Sequence, residues 1–325
     1  MKRIAFILIL LLSKSAFCQT TFIVDNFSKD YFGKIFIADT TEVFSKGWVA
    51  IFDKKTKKQL IKINSDELTY ELHDGKVLAN IQELPYGEQS QILYEDYNFD
   101  GIKDFAIMDG QNSCYHGPSF QIYLKTDKGF KLSPEFTELA QNYCGMFDID
   151  HTTQTISTMT KDGCCWHQYS EFKVKNNKPY PIKIVEEGMS TSGITWDYIE
   201  KNLVDGKMIE TTYKKLALDV DKDNLILSFA LENKKNMQIF ITDNVLYYAF
   251  MDNDDKIELL YNDTFKYSSQ ENTLTFTNHD SEYIISDDKI VVKTTKSTYN
   301  IKAVNDTKLG TLGKLKNLKI ENVIN

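Results

Sequence analysis

The stretch YEDYNFDGIKDFAIMDG, residues Tyr94 to Gly110, decides how this chain is interpreted. Oxygen-bearing side chains fall at alternating or close positions around Gly101: Asp96, Asn98, Asp100 and Asp104. Carboxylates held this close repel one another unless a cation lies between them. The apolar segments Gln91–Tyr94 and Phe105–Met108 on either side have the length and composition of strands. The stretch therefore predicts two strands joined by a loop that binds a metal ion.

The spacing D-x-N-x-D-G-x-x-D is typical of a calcium loop. Alternate side chains supply oxygens, the glycine makes the sharp turn, and the following residue offers its backbone carbonyl. An EF-hand needs a glutamate at the twelfth position and flanking helices, but that position is Ile107 and both flanks predict strands. We therefore expect an integrin-like Ca²⁺ loop with these ligands: Asp96, Asn98, Asp100, the Ile102 carbonyl and Asp104. The alternative is an acidic hairpin turn without metal.

Most of the remaining chain consists of short apolar runs separated by Gly, Asn and Asp, the pattern of an antiparallel all-β protein. One helix is predicted over Ser133 to Asn142, with Ser133 and Pro134 as cap and first-turn residues. The length favours two domains. We expect a calcium-loop, disulfide-containing β domain over residues 19–187 and a small β-barrel or sandwich over residues 188–325.

The N-terminus predicts export. Lys2 and Arg3 precede the apolar run Ile4 to Leu12, and Ala16 and Cys18 satisfy the small-x-small rule for cleavage after residue 18. The alternative is a lipoprotein in which Cys18 is acylated, although Phe17 is bulky for the position before a lipidated cysteine. No later segment has the length and apolarity of a transmembrane helix. The sequence thus predicts a signal peptide over residues 1–18 and a periplasmic or secreted protein.

Four cysteines follow the predicted signal peptide: Cys114, Cys144, Cys164 and Cys165. In an oxidising compartment this even count predicts two disulfides. The segment with Cys164 and Cys165 is predicted to be a turn that leads into a strand, where neighbouring side chains point to opposite faces, so we expect these cysteines to pair with Cys114 and Cys144 in either order. A vicinal Cys164–Cys165 bond is the minor alternative. A second alternative is a zinc site with these ligands: Cys144, His151, Cys164 and His167.

The charge of the chain bears on its partners. The formal net charge is −8, and residues 1–18 carry three positive charges and no acid, which leaves −11 on the remainder. Such an acidic chain is not expected to bind nucleic acid, and it favours cations or basic proteins. No G-x-S-x-G elbow and no H-E-x-x-H motif occurs. The sequence therefore predicts a binding protein without catalytic activity.

Two stretches, Tyr94–Tyr123 and Cys144–Val174, carry a resemblance to a known family. Their D-x-N-F-D-G-x-x-D loop, CGMFDID segment and KDGCCWHQ segment resemble a family of exported bacterial calcium-loop β proteins. That family includes a periplasmic immunity protein that inhibits a lysozyme-like toxin of the Xanthomonas type IV secretion system. The resemblance covers roughly residues 30–185 and implies a β fold with bound calcium, held by the five ligands named above.

Three hypotheses of function follow, and the third, ranked last, is a structural envelope protein with no small ligand except calcium. The first is an envelope binding protein that inhibits a basic cell-wall (peptidoglycan) hydrolase, with the segment between Met108 and Phe120 contacting it. The second is a carbohydrate-binding or carbohydrate-cleaving exported protein that uses its three tryptophans, Trp48, Trp166 and Trp196, as sugar platforms. Three tryptophans are few for that purpose in a chain of this length, so the first hypothesis is preferred.

Overall fold

The computed structural model describes residues 19–84, 87–217 and 224–324, and the predicted signal peptide lies outside these ranges. The chain is nearly all β, with 58% strand and 5% helix, and this confirms the predicted fold class. It divides into two compact units, one of Met1–Glu186 and Glu200–Glu210, the other of Glu187–Ile199 and Thr211–Asn325.

The first unit begins with two four-stranded antiparallel sheets. The first sheet has the order β1(Thr20–Val24), β2(Tyr31–Ile37), β3(Ser45–Asp53) and β4(Gln59–Leu68). The second has the order β5(Ile92–Glu95), β6(Asp104–Ser113), β7(Gly117–Thr126) and β8(Gly129–Leu132). Strand β6 is buried on both faces along Phe105–Met108, and its side chains share one core with β2, β3 and β4. This is why that apolar run does not alternate with polar residues.

The first unit continues with a short helix and further strands. Helix α1 spans Pro134–Leu139 with Ser133 at its N-cap position, a shorter form of the predicted helix, and it buries Phe136 and Leu139. Strands β9(Asp148–Asp150), β10(Thr155–Asp162) and β11(Trp166–Lys175) pair antiparallel in chain order. Three long strands contribute residues to both units: β12(Lys178–Met189), β13(Thr195–Val204) and β14(Lys207–Leu216).

The second unit contains two further sheets. The five-stranded sheet has the order β18(Ile257–Tyr261), β17(Val245–Met251), β16(Asn236–Thr242), β15(Leu225–Ala230) and β24(Leu309–Gly310). The six-stranded sheet has the order β23(Thr298–Lys302), β22(Lys289–Lys293), β21(Ser281–Ser286), β20(Thr273–Asn278), β19(Phe265–Ser268) and β25(Val323–Ile324). Both sheets contribute to one buried cluster. The barrel alternative is wrong, because both ladders end in open edge strands and no closed barrel forms in the described residues.

The disulfides differ from the prediction. Cys114 is bonded to Cys144, with their Cα atoms 4.8 Å apart, and Cys164 is bonded to its neighbour Cys165. The expectation that Cys164 and Cys165 take different partners is therefore wrong. Both lie in the turn between β10 and β11, so the alternation of side chains along a strand does not apply to them. The alternative zinc site is also wrong, because Cys144 and Cys164 are both in disulfides and have no free thiol to bind a metal.

Candidate metal centre

The Asp-rich loop lies between β5 and β6, as the sequence predicts. The two strands pair antiparallel up to Glu95 opposite Asp104, so the pairing closes the loop at its base. Phe99 and Gly101 have positive φ angles of 60° and 84°. A Cβ on Gly101 would meet no atom within 4 Å, so this position favours glycine for its backbone conformation and not for space.

The carboxylates of Asp96 and Asp100 organise the loop backbone. Asp96 accepts hydrogen bonds from the backbone N–H groups of Asp100 at 3.1 Å and Gly101 at 2.8 Å. Asp100 accepts one from the backbone N–H of Ile102 at 2.8 Å. Short polar side chains commonly hold turns in this way. The loop is therefore a folded turn in which both carboxylates lie close to its backbone.

Asn98 is buried, with 6% of its surface exposed, and it links the loop to a distant hairpin. Its side-chain amide donates to Asp100 Oδ2 at 2.9 Å and to Oδ1 of Asn177 at 3.1 Å. Asn177 lies in the turn between β11 and β12 and has a positive φ. The side-chain Oδ1 of Asn98 accepts a hydrogen bond from the backbone N–H of Asp100 at 3.3 Å. Sequence reasoning missed Asn177, since no local pattern signals a contact across 79 residues.

Asp104 is fully buried at the start of β6. Its two carboxylate oxygens accept hydrogen bonds from the backbone N–H groups of Tyr97 at 3.1 Å and Lys125 at 2.7 Å. Burial raises the pKa of Asp104 to about 7 against these two bonds, and the negative charges of Asp100 and Asp96 add to the rise. A cation in the loop would offset all three of these unfavourable effects on the ionised form.

The donor set of the loop fits calcium chemically. Three carboxylates, one amide oxygen and the Ile102 carbonyl are the hard oxygen donors that Ca²⁺ prefers. Asp104 already accepts two backbone hydrogen bonds, but an ionised carboxylate has about four acceptor positions, so it retains capacity to bind an ion. The binding of calcium by these residues remains a prediction.

A few other side chains contact one another at the loop. Glu95 is within 3.2 Å of the Lys103 ammonium and 3.4 Å of His151 Nε2. The ring of His151 also stands edge-on to Phe99, with centroids 5.7 Å apart. His151 therefore packs against the loop and takes no part in a cysteine–histidine zinc site.

The segment between Met108 and Phe120 is mostly strand, interrupted by the 3₁₀ turn Cys114–His116, and its exposed residues are Asn112, Tyr115 and His116. Tyr115 has a positive φ of 53° and is 61% exposed. Its hydroxyl accepts a hydrogen bond from the Gly163 N–H, and the Lys161 ammonium lies 5.0 Å from its ring centroid. The Cys114–Cys144 bond holds the turn from beneath.

Apolar side chains of a second loop lie beside this turn. The rings of Phe44 and His116 are 5.0 Å apart, centroid to centroid, and Val43 is 73% exposed. The turn Cys114–His116 together with Val43 and Phe44 is called the aromatic tip below. A cleft of about 770 Å³ lies in the same unit, lined in part by Val43, Leu72 and Pro118.

Comparisons with known proteins give only loose similarities. No family model matches the chain, and no curated protein matches it. A Xanthomonas type IV secretion system related protein is similar over 61% of this chain and 94% of its own, with a TM-score of 0.45 and 17% identity. The match to prolyl oligopeptidase B from Galerina marginata covers 88% of this chain and 42% of the oligopeptidase chain, with a TM-score of 0.24 and 7% identity.

A third solved structure, a putative 6-phosphogluconolactonase from Bacteroides uniformis, covers 89% of this chain and 85% of its own. Its TM-score is 0.23 and its identity 8%. All three scores are below 0.5, so none of these similarities carries a functional conclusion.

Fold and site together define an all-β protein of two compact units with an Asp-rich loop in the first. Among the helices in the described ranges, none is both long and apolar enough to cross a bilayer.

Proposed function

We propose that this protein is an exported envelope protein that binds and inhibits a basic peptidoglycan hydrolase, without catalysis of its own. The observation that carries the proposal is the aromatic tip, where exposed Tyr115 on a disulfide-bonded turn lies beside exposed Phe44 and Val43 of a second loop. Exposed apolar side chains that cluster are typical of protein interaction sites. A few side chains carry most of the binding energy in such sites, and tyrosine is among the residue types enriched there.

The rigidity of the tip favours tight binding. A bound surface that is already fixed loses little conformational entropy on association, which is how pre-organised inhibitors gain affinity. Tyr115 is fixed at its hydroxyl by Gly163 and at its backbone by the neighbouring Cys114–Cys144 bond. Its ring is therefore a suitable anchor for the cleft of a partner enzyme.

Charge supports a basic partner. The formal charge of −8, or −11 without residues 1–18, steers positively charged proteins toward this chain and is screened by salt. The sequence resemblance to the exported calcium-loop family, which includes an inhibitor of a lysozyme-like toxin, supports the same partner class. In this proposal the calcium ion is structural. Asp96, Asn98 and Asp100 lie in the folded loop between β5 and β6, and Asp104 is the first residue of β6.

A turbidity assay of cell-wall lysis tests the proposal. The mature protein is added to lysozymes of several types, and to any hydrolase encoded nearby, at low salt. We expect slower lysis, and we expect Tyr115→Ala to weaken inhibition about 30-fold, the effect of removing a hot-spot side chain. The matched control is Tyr299→Ala, which removes a tyrosine that is 55% exposed in β23 of the second unit.

Three results would contradict the proposal. The first is that no hydrolase is slowed by micromolar protein. The second is that Tyr115→Ala inhibits as well as the parent protein and as the control Tyr299→Ala. The third is measurable binding or hydrolysis of polysaccharide by the protein alone, which would favour the carbohydrate hypothesis.

A further inference from the structure

A second cluster of metal-binding side chains lies away from the Asp-rich loop. Glu71, His73 and Glu88 each offer one ligand atom, and these three atoms lie within 4.8 Å of one another. The imidazole Nε2 of His73 is 2.8 Å and 3.0 Å from the two carboxylate oxygens of Glu88. Imidazole nitrogen and carboxylate oxygen are both donor types that zinc takes in proteins.

The backbone holds this cluster in place through tight turns. His73 and Lys76 exchange backbone hydrogen bonds of 2.8 Å and 3.0 Å across the turn Asp74-Gly75. Both turn residues have positive φ angles, 50° and 77°, the geometry of a two-residue hairpin turn. The Asp-Gly dipeptide is therefore well suited to this turn, and the turn fixes the position of the His73 backbone.

Glu88 reaches the cluster from another turn. The backbone N–H of Glu83 donates to the carbonyl of Glu88 at 2.9 Å, and Gln82 and Gln89 pair across the base of this turn. The ligands thus come from two chain segments that are each tied by backbone hydrogen bonds. Such support reduces the ordering that an arriving ion must impose.

The adjoining cleft has unsatisfied polar groups. Glu71 and Glu88 line the cleft of about 770 Å³, as do Gln89 and Gln91. These glutamines are only 7% and 2% exposed, and the side-chain carbonyl oxygen of each lacks a hydrogen-bond partner. Buried oxygens without a donor are costly. Because each of these oxygens is itself inaccessible to solvent, it does not contact a ligand in the cleft, and the metal site depends on its three ligand atoms alone.

We propose that Glu71, His73 and Glu88 bind one zinc ion at the edge of this cleft. Bonds of about 2.1 Å keep tetrahedral ligands roughly 3.4 Å apart, so small side-chain rotations gather the three donors around an ion. A site with three protein ligands leaves a fourth position for water or another donor. Because Glu71 and Glu88 line the cleft, an ion held there is accessible from it. The site is independent of the proposed inhibition and of the calcium loop.

Isothermal titration with zinc chloride, in the presence of excess calcium, tests this site on the full mature protein. We expect one zinc ion per chain, and we expect His73→Gln and Glu88→Gln each to weaken binding at least tenfold. His116→Gln is the matched control, because His116 pairs with a single glutamate, Glu67, at 3.4 Å. Asp74→Asn is the charge control, since it removes a neighbouring negative charge but none of the three ligands.

Several outcomes overturn the zinc proposal. One is the absence of stoichiometric binding at micromolar zinc. A second is unchanged affinity in His73→Gln and Glu88→Gln when their circular dichroism spectra match that of the parent. A third is an equal loss in Asp74→Asn, which would mean that net charge and not the ligand set attracts the ion. A loss in His116→Gln alone would place the zinc at the aromatic tip and also overturn the proposal.

Discussion

Asp104 provides a quantitative test of the calcium loop. Its pKa is raised from 3.8 to about 7, chiefly by burial, in the metal-free protein. Between these two values the folded protein keeps a proton that the unfolded chain has released. Asp104 therefore contributes stability that is complete below about pH 4 and is lost as the pH rises through about 7.

The magnitude follows from the shift. Each pKa unit corresponds to 1.36 kcal/mol, so the loss is about 1.4 kcal/mol per pH unit and at most about 4 kcal/mol in all. Calcium acts in the opposite direction, because the ionised carboxylate is the ligand. At a hundredfold excess over Kd, an ion that binds only the folded state adds about 2.7 kcal/mol. We expect this gain to be large above about pH 7 and small near pH 5.

The assay is urea unfolding from about pH 5 to about pH 8, with EDTA and with calcium. Asp104→Asn is the matched variant: at low pH it is less stable than the parent, because its amide group faces one of the two backbone N–H donors, but its stability falls less as the pH rises. The pKa of His73 is also raised, mainly by its hydrogen bond to Glu88, and shifts stability in the same direction. The slope of the unfolding free energy against pH is therefore compared between the parent and Asp104→Asn, because His73 contributes equally to both.

Two results would refute this reasoning. Equal slopes in the parent and Asp104→Asn would mean that the carboxyl is not protonated in the metal-free fold. An unfolding curve at neutral pH that EDTA and calcium leave unchanged would mean that residues 96–104 form an acidic turn without metal.

Further predictions concern stability. Replacing Cys114 and Cys144 by serine should cost about 3–4 kcal/mol, because their bond closes a loop of 30 residues; denaturant unfolding measures this, and no change in midpoint would contradict it. Gly310→Ala should lower the melting temperature more than Gly206→Ala: both have positive φ, but a Cβ at 310 would lie 2.1 Å from a backbone oxygen, whereas none lies within 4 Å at 206. Phe105→Ala should cost about 3–5 kcal/mol, since the ring is fully buried among other aromatic rings; a loss below 1 kcal/mol, on the order of a surface change, would contradict it.

Local patterns were sufficient for the fold class and for the position of the Asp-rich loop. Short apolar runs bounded by Gly, Asn and Asp predict strands because both signals depend only on neighbouring residues. The loop follows for the same reason: Gly101 and its alternating oxygen donors lie within nine residues. The burial of Phe105–Met108 also agrees with the uninterrupted apolar run.

Contacts between distant segments were decided by the tertiary structure alone. Cys114 pairs with Cys144 across 30 residues, because the neighbours Cys164 and Cys165 bond to each other in a turn where the sequence indicated a strand entry. Asn177 reaches Asn98 across 79 residues, and no local pattern encodes that contact.

The cluster of Glu71, His73 and Glu88 illustrates the same limit. Glu71 and His73 are neighbours in sequence, but Glu88 joins them only because two separate turns place their side chains together. The sequence alone determined which segments become strands and turns, since propensity and hydrophobic pattern act over a few residues. Which turns meet depends on packing of the whole core, and this only the tertiary structure decided.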